Sequence, residues 1–433
     1  MNETIKRLYS IFREHLYVST DSRQEMSGKI FFAIRGENFD GNRFIPQALE
    51  KGAVVAVSDD VSFTKNDRVI VVSDTVQCLQ QLAAYHRQQL DIPVIGITGS
   101  NGKTTTKELI FRVLQKKFRV FATQGNLNNH IGLPLSILSI DSRHEVAVIE
   151  IGANHLGETR LLTTITHPTT GVLTNIGKDH LGEFGGFDNV VEAYREFVDF
   201  FNQNTDYQLI VNGNDEFSGR LITQAKVLFF GEGNFTFNGR VVSCSPFVHA
   251  EIKYGNEIIL VKSRLFGSYN LNNILAASAI GQWMNIPAND FQDAVGNYYP
   301  ENLRSQVLEW RGNTVFLDAY NANPSSMSLA INDFAQLKTD KKILILGDMH
   351  ELGEYSHQEH QEIISLLKKV DYQHLFLIGE YFGDFKNDID CMHFKDVNEF
   401  ILWFENQHFT GYSILIKGSR SERLEKILDI YQH

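Results

Sequence analysis

The residues best suited to chemistry lie in one short stretch, residues 99–105. An apolar run precedes it and apolar residues at helical spacing follow it, so the stretch should join a buried strand to a helix. Free N–H groups at a helix start attract anions, Lys103 can reach terminal phosphates, and Thr104 is placed to hold Mg²⁺. Ile97 stands where the general pattern has a glycine, so this is a variant phosphate loop for ATP or GTP. Its predicted nucleotide-binding residues are Gly99, Ser100, Asn101, Gly102, Lys103, Thr104 and Thr105.

Two further candidates follow predicted strands. Glu150 ends the apolar run 146–150, and a buried carboxylate must be paired or bind a cation. The carboxyl ends of strands in an open α/β sheet face the ligand, so we expect Glu150 near the phosphate loop as a Mg²⁺ ligand. A structural ion pair is the alternative. His180 follows the strand predicted at 171–177 and is a candidate second metal ligand, although a lone loop histidine is usually a surface residue.

Polar segments rich in asparagine stand between the apolar runs. The segment 123–134 includes Asn128 and Asn129, whose amides suit phosphates, sugars or a peptide, although a plain surface loop would look similar. A helix opening near 267 carries Asn273, which we expect to face a ligand. Polar groups also follow three strand ends, in 318–324, 347–353 and 417–420, and should line one face of the last domain.

Composition limits the function classes. The 433 residues are 43% hydrophobic and 21% charged, as in an ordinary globular protein, and no apolar run is long enough to span a membrane. A net charge of −12 argues against nucleic-acid binding. The first eight residues lack a secretory signal, and three cysteines without metal spacing indicate reduced thiols. We expect a cytoplasmic protein and a monomer.

Alternating strand and helix patterns predict an α/β protein of three domains. Residues 1–90 form a small α/β domain. Residues 91–300 form a central, P-loop ATPase-like domain with a mostly parallel sheet, to which short strands in 235–266 add an antiparallel extension. Residues 301–433 form a Rossmann-like, doubly wound domain with strands near 315–318, 342–347, 375–379 and 413–418.

The motifs together resemble the Mur ligases of bacterial cell-wall synthesis over essentially the whole chain. Those that carry the resemblance are 20–23 with 31–37, 98–105, 125–134, Glu150, 175–185, 318–327, 347–353 and 417–420. The last three look like the members that add D-alanyl-D-alanine. The C-terminal Asp-Asn-Pro-Arg motif of the members that add the third amino acid is absent.

The resemblance implies an ATP-dependent, Mg²⁺-requiring ligase of peptidoglycan precursor synthesis. It would join D-alanyl-D-alanine to the C-terminal carboxylate of UDP-N-acetylmuramoyl-tripeptide through an acyl phosphate, giving the UDP-pentapeptide, ADP and phosphate. The N-terminal domain would hold the UDP end, the central domain ATP, and the C-terminal domain would close over ATP and bring the dipeptide.

The resemblance also implies roles for single residues. Lys103, Glu150 and His180 are the catalytic candidates, and Thr104, Glu150 and His180 the metal candidates. Asn273, Arg304 and Asp318 look like contacts to adenosine. The substrate candidates are Ser22 and Arg23 at the UDP end, Asn128, Asn129, Asn321 and Asn323 in polar loops, and Lys417 and Arg420 for the dipeptide carboxylate.

Two positions depart from the family pattern. Many relatives carry, past the His180 loop, a lysine modified to a carbamate that supports a second metal. Tyr194 or Arg195 stands there in this chain, which puts that metal in doubt unless Glu192 or Glu196 compensates. Tyr269 stands where the family usually has histidine.

Other functions remain open at this point. The chain would also suit a sibling Mur ligase, a folylpolyglutamate synthetase, or a nucleotide-binding regulatory protein that does not ligate. The sequence leaves undecided whether the acceptor carries lysine or diaminopimelate at its third position, and which group deprotonates the amine.

Overall fold

The computed structural model describes residues 3–429 and confirms the α/β class with mostly parallel sheets. Met1 and Asn2, part of the stretch considered for a secretory signal, and residues 430–433, the end of the predicted C-terminal domain, lie outside the described residues. Within residues 3–429 there is no helix with the length and apolar character needed to cross a membrane. The chain forms a four-stranded sheet, then a nine-stranded sheet and then a six-stranded sheet.

The first sheet is small and fully parallel. Its strands lie in the order β1 (Val18–Ser19), β2 (Ile30–Phe32), β5 (Val55–Ser58) and β6 (Val69–Val71). Helix α1 forms because Ile5, Leu8 and Phe12 recur on one face and are buried. Helix α3 packs on the next domain, where its Arg87 Nε donates to the Thr166 carbonyl at 2.9 Å. The elements are α1 (Glu3–His15), β1 (Val18–Ser19), β2 (Ile30–Phe32), β3 (Arg35–Gly36), β4 (Phe39–Asp40), α2 (Ile45–Glu50), β5 (Val55–Ser58), β6 (Val69–Val71) and α3 (Thr75–Gln88), β3 and β4 forming a separate hairpin.

The second sheet carries the phosphate loop. Its elements are β7 (Val94–Thr98), α4 (Lys103–Leu114), β8 (Val120–Ala122), α5 (Gly132–Leu138), β9 (Val146–Glu150), α6 (Glu158–Thr166), β10 (Thr170–Leu173), α7 (Leu181–Phe184), α8 (Phe187–Gln203), β11 (Gln208–Asn212), β12 (Lys226–Gly231), β13 (Phe237–Ser243), β14 (His249–Tyr254), β15 (Glu257–Lys262), α9 (Asn270–Trp283) and α10 (Ala288–Gly296). The order is β15-β14-β13-β12-β11-β10-β7-β9-β8. Strands β13 to β15 pair antiparallel, which confirms the predicted extension.

The third sheet has two strands that the sequence pattern did not reveal. Its elements are β16 (Gln306–Trp310), β17 (Asn313–Asp318), α11 (Pro324–Ala335), β18 (Lys342–Gly347), α12 (Ser356–Leu367), β19 (His374–Ile378), α13 (Glu380–Gly383), β20 (Met392–Phe394), α14 (Val397–Phe404) and β21 (Ser413–Lys417), in strand order β16-β17-β21-β18-β19-β20. The four predicted strands are β17, β18, β19 and β21, all parallel. The additional strands are β16, which pairs antiparallel with β17, and the short β20.

The second and third sheets meet through one apolar and several polar contacts. Phe266 and Phe316 pack with ring centroids 4.5 Å apart, and both rings are buried. On the polar side, Lys178 Nζ lies 2.7 Å from Glu359 Oε1 and 3.1 Å from Glu362 Oε2. The two sheets therefore share a buried aromatic contact and a separate, partly exposed ionic one.

The ionic contact predicts a measurable effect on how the two parts associate. Lys178→Met should weaken the association by about 1 kcal/mol, the usual size for partly exposed ion pairs. Small-angle scattering at low salt should give a larger radius of gyration for this variant than for the wild type. Lys368→Met, at the exposed end of α12, removes a charge without these partners and is the control. Equal radii for all three proteins would contradict the prediction.

Candidate active site

A cleft of about 800 Å³ lies between the second and third sheets. Its floor is the phosphate loop between β7 and α4, together with the residues that end β9 and follow β10. Its opposite wall comes from loops after β17 and β18. The carboxyl ends of parallel strands from two sheets thus face one space, as is typical of ligand sites in open α/β folds.

The phosphate loop has no space for side chains at two of its glycines. Gly99 has φ +132° and Gly102 has φ +81°, in the left-handed region that favours glycine. A Cβ atom at Gly99 would lie 2.1 Å from Thr174 Oγ1, and one at Gly102 would lie 2.3 Å from Asn273 Oδ1. The loop is therefore held against β10 on one side and α9 on the other.

Hydrogen bonds fix the rest of the loop. Ser100 Oγ donates to Asp179 Oδ1 at 2.6 Å, and the Asn101 N–H donates to Asn175 Oδ1 at 3.1 Å. Lys103 Nζ donates to the Gly99 carbonyl at 2.5 Å, and burial lowers the pKa of Lys103. Thr105 is buried in the first turn of α4. The lysine is thus folded back over a preformed loop, at the place where a phosphate would bind.

Glu150 lies beside the loop, and only one of its two carboxylate oxygens accepts hydrogen bonds within the described residues. Its Oε1 accepts from Asn128 Nδ2 at 2.8 Å and from Thr104 Oγ1 at 3.3 Å. Its Oε2 is buried and accepts no hydrogen bond within residues 3–429. A carboxylate and a threonine hydroxyl are the oxygen ligands that Mg²⁺ prefers, so these residues fit that cation.

His180 lines the same cleft, and the structure gives its ring a partner that was not predicted. Its Nδ1 lies 3.0 Å from Oε2 of Glu351 and 3.2 Å from Oε2 of Glu183. Burial by itself would lower the pKa of His180, but the carboxylates of Glu351 and Asp179 together outweigh it and the pKa is raised. His180 and Glu351 belong to different sheets, so this contact crosses the cleft.

The candidates for adenosine contacts also line the cleft, and each has a protein partner. Asn273 Oδ1 accepts from Thr106 Oγ1 at 3.1 Å. The Arg304 guanidinium lies 4.0 Å above the Tyr320 ring, and in the part of the chain that the structure describes its Nε has no hydrogen bond. The third candidate, Asp318, pairs with Lys417, whose Nζ lies 2.5 Å from Asp318 Oδ2. Lys417 is only 1% exposed, so its charge is paired with Asp318 and does not face solvent.

The predicted substrate residues divide into two groups. Asn128, Asn321, Asn323 and Lys417 line the cleft. Asn323 caps α11 and its Nδ2 donates to Asn101 Oδ1 at 2.9 Å, which ties the phosphate loop to the opposite wall. The residues that do not line the cleft are Ser22, Arg23, Asn129 and Arg420.

Each residue of the second group has a local partner. Ser22 Oγ donates to Gln47 Oε1 at 3.3 Å. Arg23 is exposed and binds Asp21, which lowers the pKa of Asp21 to about 2. Asn129 Oδ1 accepts from the Gly132 N–H at the start of α5. Arg420 lies 2.5 Å from Glu425, with 54% of its side chain exposed.

The structure distinguishes the residues considered for the missing lysine. Tyr194 is fully buried and its hydroxyl donates to Asp179 Oδ2 at 2.8 Å, while burial raises its pKa. Arg195 pairs with Glu192 on the half-exposed side of α8. Glu196 accepts from the Gly157 N–H, at the start of α6. Neither glutamate lines the cleft, so neither supplies the anion that a carbamate would provide.

Tyr269, the other departure, is held at the edge of the cleft. Its hydroxyl lies 3.2 Å from Ser305 Oγ, and burial raises its pKa well above the ordinary value. Asp179, Glu351 and Tyr320 also line the cleft, although none of them was singled out from the sequence. Tyr320 and Glu351 lie in the polar segments 318–324 and 347–353, which were predicted to line one face of the last domain, and Asp179 stands beside His180.

Three family models match the chain in succession. The model described as "Mur ligase family, catalytic domain" matches residues 17–95, "Mur ligase middle domain" matches 97–281, and "Mur ligase, glutamate ligase domain" matches 303–420. Among curated proteins, a UDP-N-acetylmuramoyl-tripeptide–D-alanyl-D-alanine ligase of Bacillus subtilis is 34% identical over 95% of this chain and 92% of its own length.

Two solved structures have the same fold as this chain over nearly its whole length. MurF from Acinetobacter baumannii superposes with a TM-score of 0.88 at 30% identity, covering 96% of this chain and 93% of that one. A MurF ligase from Thermotoga maritima, solved in complex with ADP, has a TM-score of 0.87 at 26% identity and covers 100% and 98% of the two chains.

The hydrogen bond from Tyr194 to Asp179 predicts an effect on nucleotide affinity. Tyr194→Phe removes one of the two donors that hold Asp179, which in turn holds Ser100 of the phosphate loop. We expect calorimetry to show ADP binding weakened about fivefold, the equivalent of about 1 kcal/mol.

A matched control separates this effect from loss of stability. Tyr254 is a buried tyrosine remote from the cleft, and its hydroxyl donates to the Ile286 carbonyl at 2.8 Å. Tyr254→Phe should lower the thermal unfolding temperature by a similar amount and leave ADP affinity unchanged. Equal ADP affinity in both variants and the wild type would contradict the prediction.

Proposed function

The chain belongs to the Mur ligase family, and from that premise we propose the reaction, its residues and its cation. The protein joins D-alanyl-D-alanine to the C-terminal carboxylate of UDP-N-acetylmuramoyl-tripeptide, converting ATP to ADP and phosphate, in peptidoglycan precursor synthesis. Relatives that are 34% and 31% identical to nearly the whole chain are named as UDP-N-acetylmuramoyl-tripeptide–D-alanyl-D-alanine ligases. The observation that carries the proposal is the cleft in which the phosphate loop faces polar loops of the third sheet.

The chemistry requires ATP because a carboxylate is a poor electrophile. Transfer of the terminal phosphoryl group to the tripeptide carboxylate gives an acyl phosphate, whose phosphate is a good leaving group. The amine of the dipeptide then attacks the acyl carbon, an amide forms and phosphate departs. In this scheme Lys103 and the N–H groups of the loop offset the charge of two approaching anions.

The residues around Glu150 support the use of Mg²⁺. Thr104 and Glu150 would hold the cation, with His180 as a further candidate from the same cleft. The feature that favours this assignment is a pair of cleft oxygens, Glu150 Oε1 and Thr104 Oγ1, which lie 3.3 Å apart beside the phosphate loop. When bound, Mg²⁺ would neutralise phosphate charge.

The three segments receive separate roles in the proposal. Residues 1–90 hold the UDP end, with Ser22 and Arg23 as contacts, and residues 91–300 hold ATP. Residues 301–433 close over ATP and bring the dipeptide. Asn273, Arg304 and Asp318 contact adenosine, while Asn128, Asn129, Asn321 and Asn323 contact the acceptor or the dipeptide. We further propose a monomer that acts in the cytoplasm.

For the dipeptide carboxylate the contacts favour Arg420 over Lys417. Lys417 is buried and its charge is matched by Asp318, whereas Arg420 is half-exposed and pairs with a single glutamate. An exposed guanidinium can exchange a glutamate for an incoming carboxylate and grip it with two hydrogen bonds. Lys417 instead supports the carboxylate proposed to accept from ribose hydroxyls.

Two alternatives are less favoured. A sibling Mur ligase or a folylpolyglutamate synthetase would use another amine donor, and the full-length relatives carry the D-alanyl-D-alanine name instead. A regulatory protein without ligase activity would release phosphate from ATP at the same rate with and without D-alanyl-D-alanine. Phosphate release measured in both conditions therefore discriminates between a D-alanyl-D-alanine ligase and a regulatory protein.

The central test is the product together with its dependence on Lys103. Mass spectrometry of the mixture of UDP-muramoyl-tripeptide, ATP and D-alanyl-D-alanine should show the pentapeptide, and omission of the dipeptide should remove it. Lys103→Ala should lower turnover by about a hundredfold or more, because it removes a charge that faces the reacting phosphate. Lys117→Ala, just past α4, should keep normal turnover. Near-normal turnover of Lys103→Ala would contradict the assignment.

A pair of variants tests the division between Lys417 and Arg420. Arg420→Ala should raise KM for D-alanyl-D-alanine about tenfold, the value of one charged hydrogen bond, and leave KM for ATP unchanged. Lys417→Met should raise KM for ATP and leave KM for D-alanyl-D-alanine unchanged, because it leaves Asp318, whose side chain is only 15% exposed, without its cation. Steady-state kinetics with each substrate varied in turn gives both constants. A rise in KM for ATP in Arg420→Ala would show that the two residues are misassigned.

A further inference from the structure

A lysine without a role in the preceding scheme lies directly behind the cleft. Lys107 stands one turn after Thr104 on α4, and its side chain is 1% exposed. Lysine is almost never fully buried unless its charge is paired. The phosphate loop leads into the N-terminal end of α4, and Lys107 lies one turn further along this helix, with its ammonium group inside the protein.

Three oxygen atoms surround the ammonium group. Lys107 Nζ donates to the Thr123 carbonyl at 2.7 Å, lies 3.0 Å from Glu108 Oε1, and lies 4.0 Å from Glu150 Oε2. Thr123 follows β8, and its Oγ1 accepts from the Glu150 N–H at 3.0 Å. Lys107 therefore connects α4 to both strands that position Glu150.

The two oxygens of Glu150 have different surroundings. Oε1 accepts from the side chains of Asn128 and Thr104, which line the cleft. Oε2 has no hydrogen bond within the described residues and faces Lys107 at 4.0 Å. At this separation the buried lysine acts on Glu150 through its electric field, part of which the nearer carboxylate of Glu108 offsets.

We propose that Lys107 is a positioning residue that sets the cation affinity of Glu150. The proposal deepens the proposed function, on which it depends for the assignment of Glu150 to the cation. The ammonium group of Lys107 competes with a cation for the negative charge of Glu150, so it weakens the cation binding that this carboxylate provides. The cation therefore binds weakly to the empty protein and firmly only when nucleotide phosphates supply further negative charge.

The test uses Mn²⁺ as the probe and nucleotide-free protein. Lys107→Met should bind Mn²⁺ about tenfold more tightly than the wild type in a titration followed by electron paramagnetic resonance, since a nearby positive charge has been removed. Lys342→Met is the matched control, because Lys342 is also buried and donates to a backbone carbonyl but lies in the third sheet. Its Mn²⁺ affinity should equal that of the wild type.

A second substitution identifies the carboxylate involved. In the Glu150→Gln background, Lys107→Met should no longer change Mn²⁺ affinity. Unchanged affinity in Lys107→Met alone, or an equal change in the Glu150→Gln background, would overturn the proposal. If Lys107→Met does not fold, Lys107→Gln keeps a donor for the Thr123 carbonyl and has the same expected outcome.

The outcome is separable from that of the proposed function. The product assay on the wild type decides whether the protein ligates D-alanyl-D-alanine, and it does not depend on Lys107. The Mn²⁺ titration decides whether Lys107 governs the cation site, and it requires no turnover. A merely structural lysine would lower the unfolding temperature of Lys107→Met and leave Mn²⁺ affinity as it was.

Discussion

The site depends on one steric constraint, which is the absence of space beside Gly99 and Gly102. The nearest atoms belong to Thr174 and Asn273, so the loop is in contact with a strand end and a helix from later parts of the chain. A loop in such contact cannot relax when its ligand leaves, so it keeps the shape that receives the ligand. Preorganisation of this kind lowers the cost of ordering the loop on binding.

The rest of the cleft is built largely from neutral amides and hydroxyls rather than from charges. Asn101, Asn128, Asn175 and Asn323 each hold another element of the site through a side-chain amide. The charged groups that do lie there are mostly matched, as with Lys417 and Asp318. A polar but nearly balanced cleft suits reactants that bring their own negative charge.

The sequence predicted elements that depend on local pattern and missed those that depend on register. The phosphate loop and the strands ending at Glu150 and near Asp318 follow from apolar runs and glycine spacing, and the structure has them. The pairing of Asp318 with Lys417 follows from the register of β17 against β21, in which these residues are direct neighbours. No pattern in either strand reveals that register. The contact of His180 with Glu351 joins loops of two sheets, which no local pattern encodes. The edge strand β16 is only partly buried and so lacks a continuous apolar run, and β20 has three residues, too few to show a periodicity.

The buried aromatic contact and the polar contacts between the second and third sheets have different thermal consequences. Phe266 and Phe316 lie outside the cleft lining, whereas the contacts from Asn101 to Asn323 and from Lys178 to Glu359 are polar. Parting the polar contacts while the rings stay packed exchanges protein hydrogen bonds for water and exposes little apolar surface. Because heat capacity follows apolar exposure, such a movement should have a small heat-capacity change. The logarithm of the ratio of open to closed forms would then change almost linearly with inverse temperature, because the enthalpy of such a movement stays nearly constant.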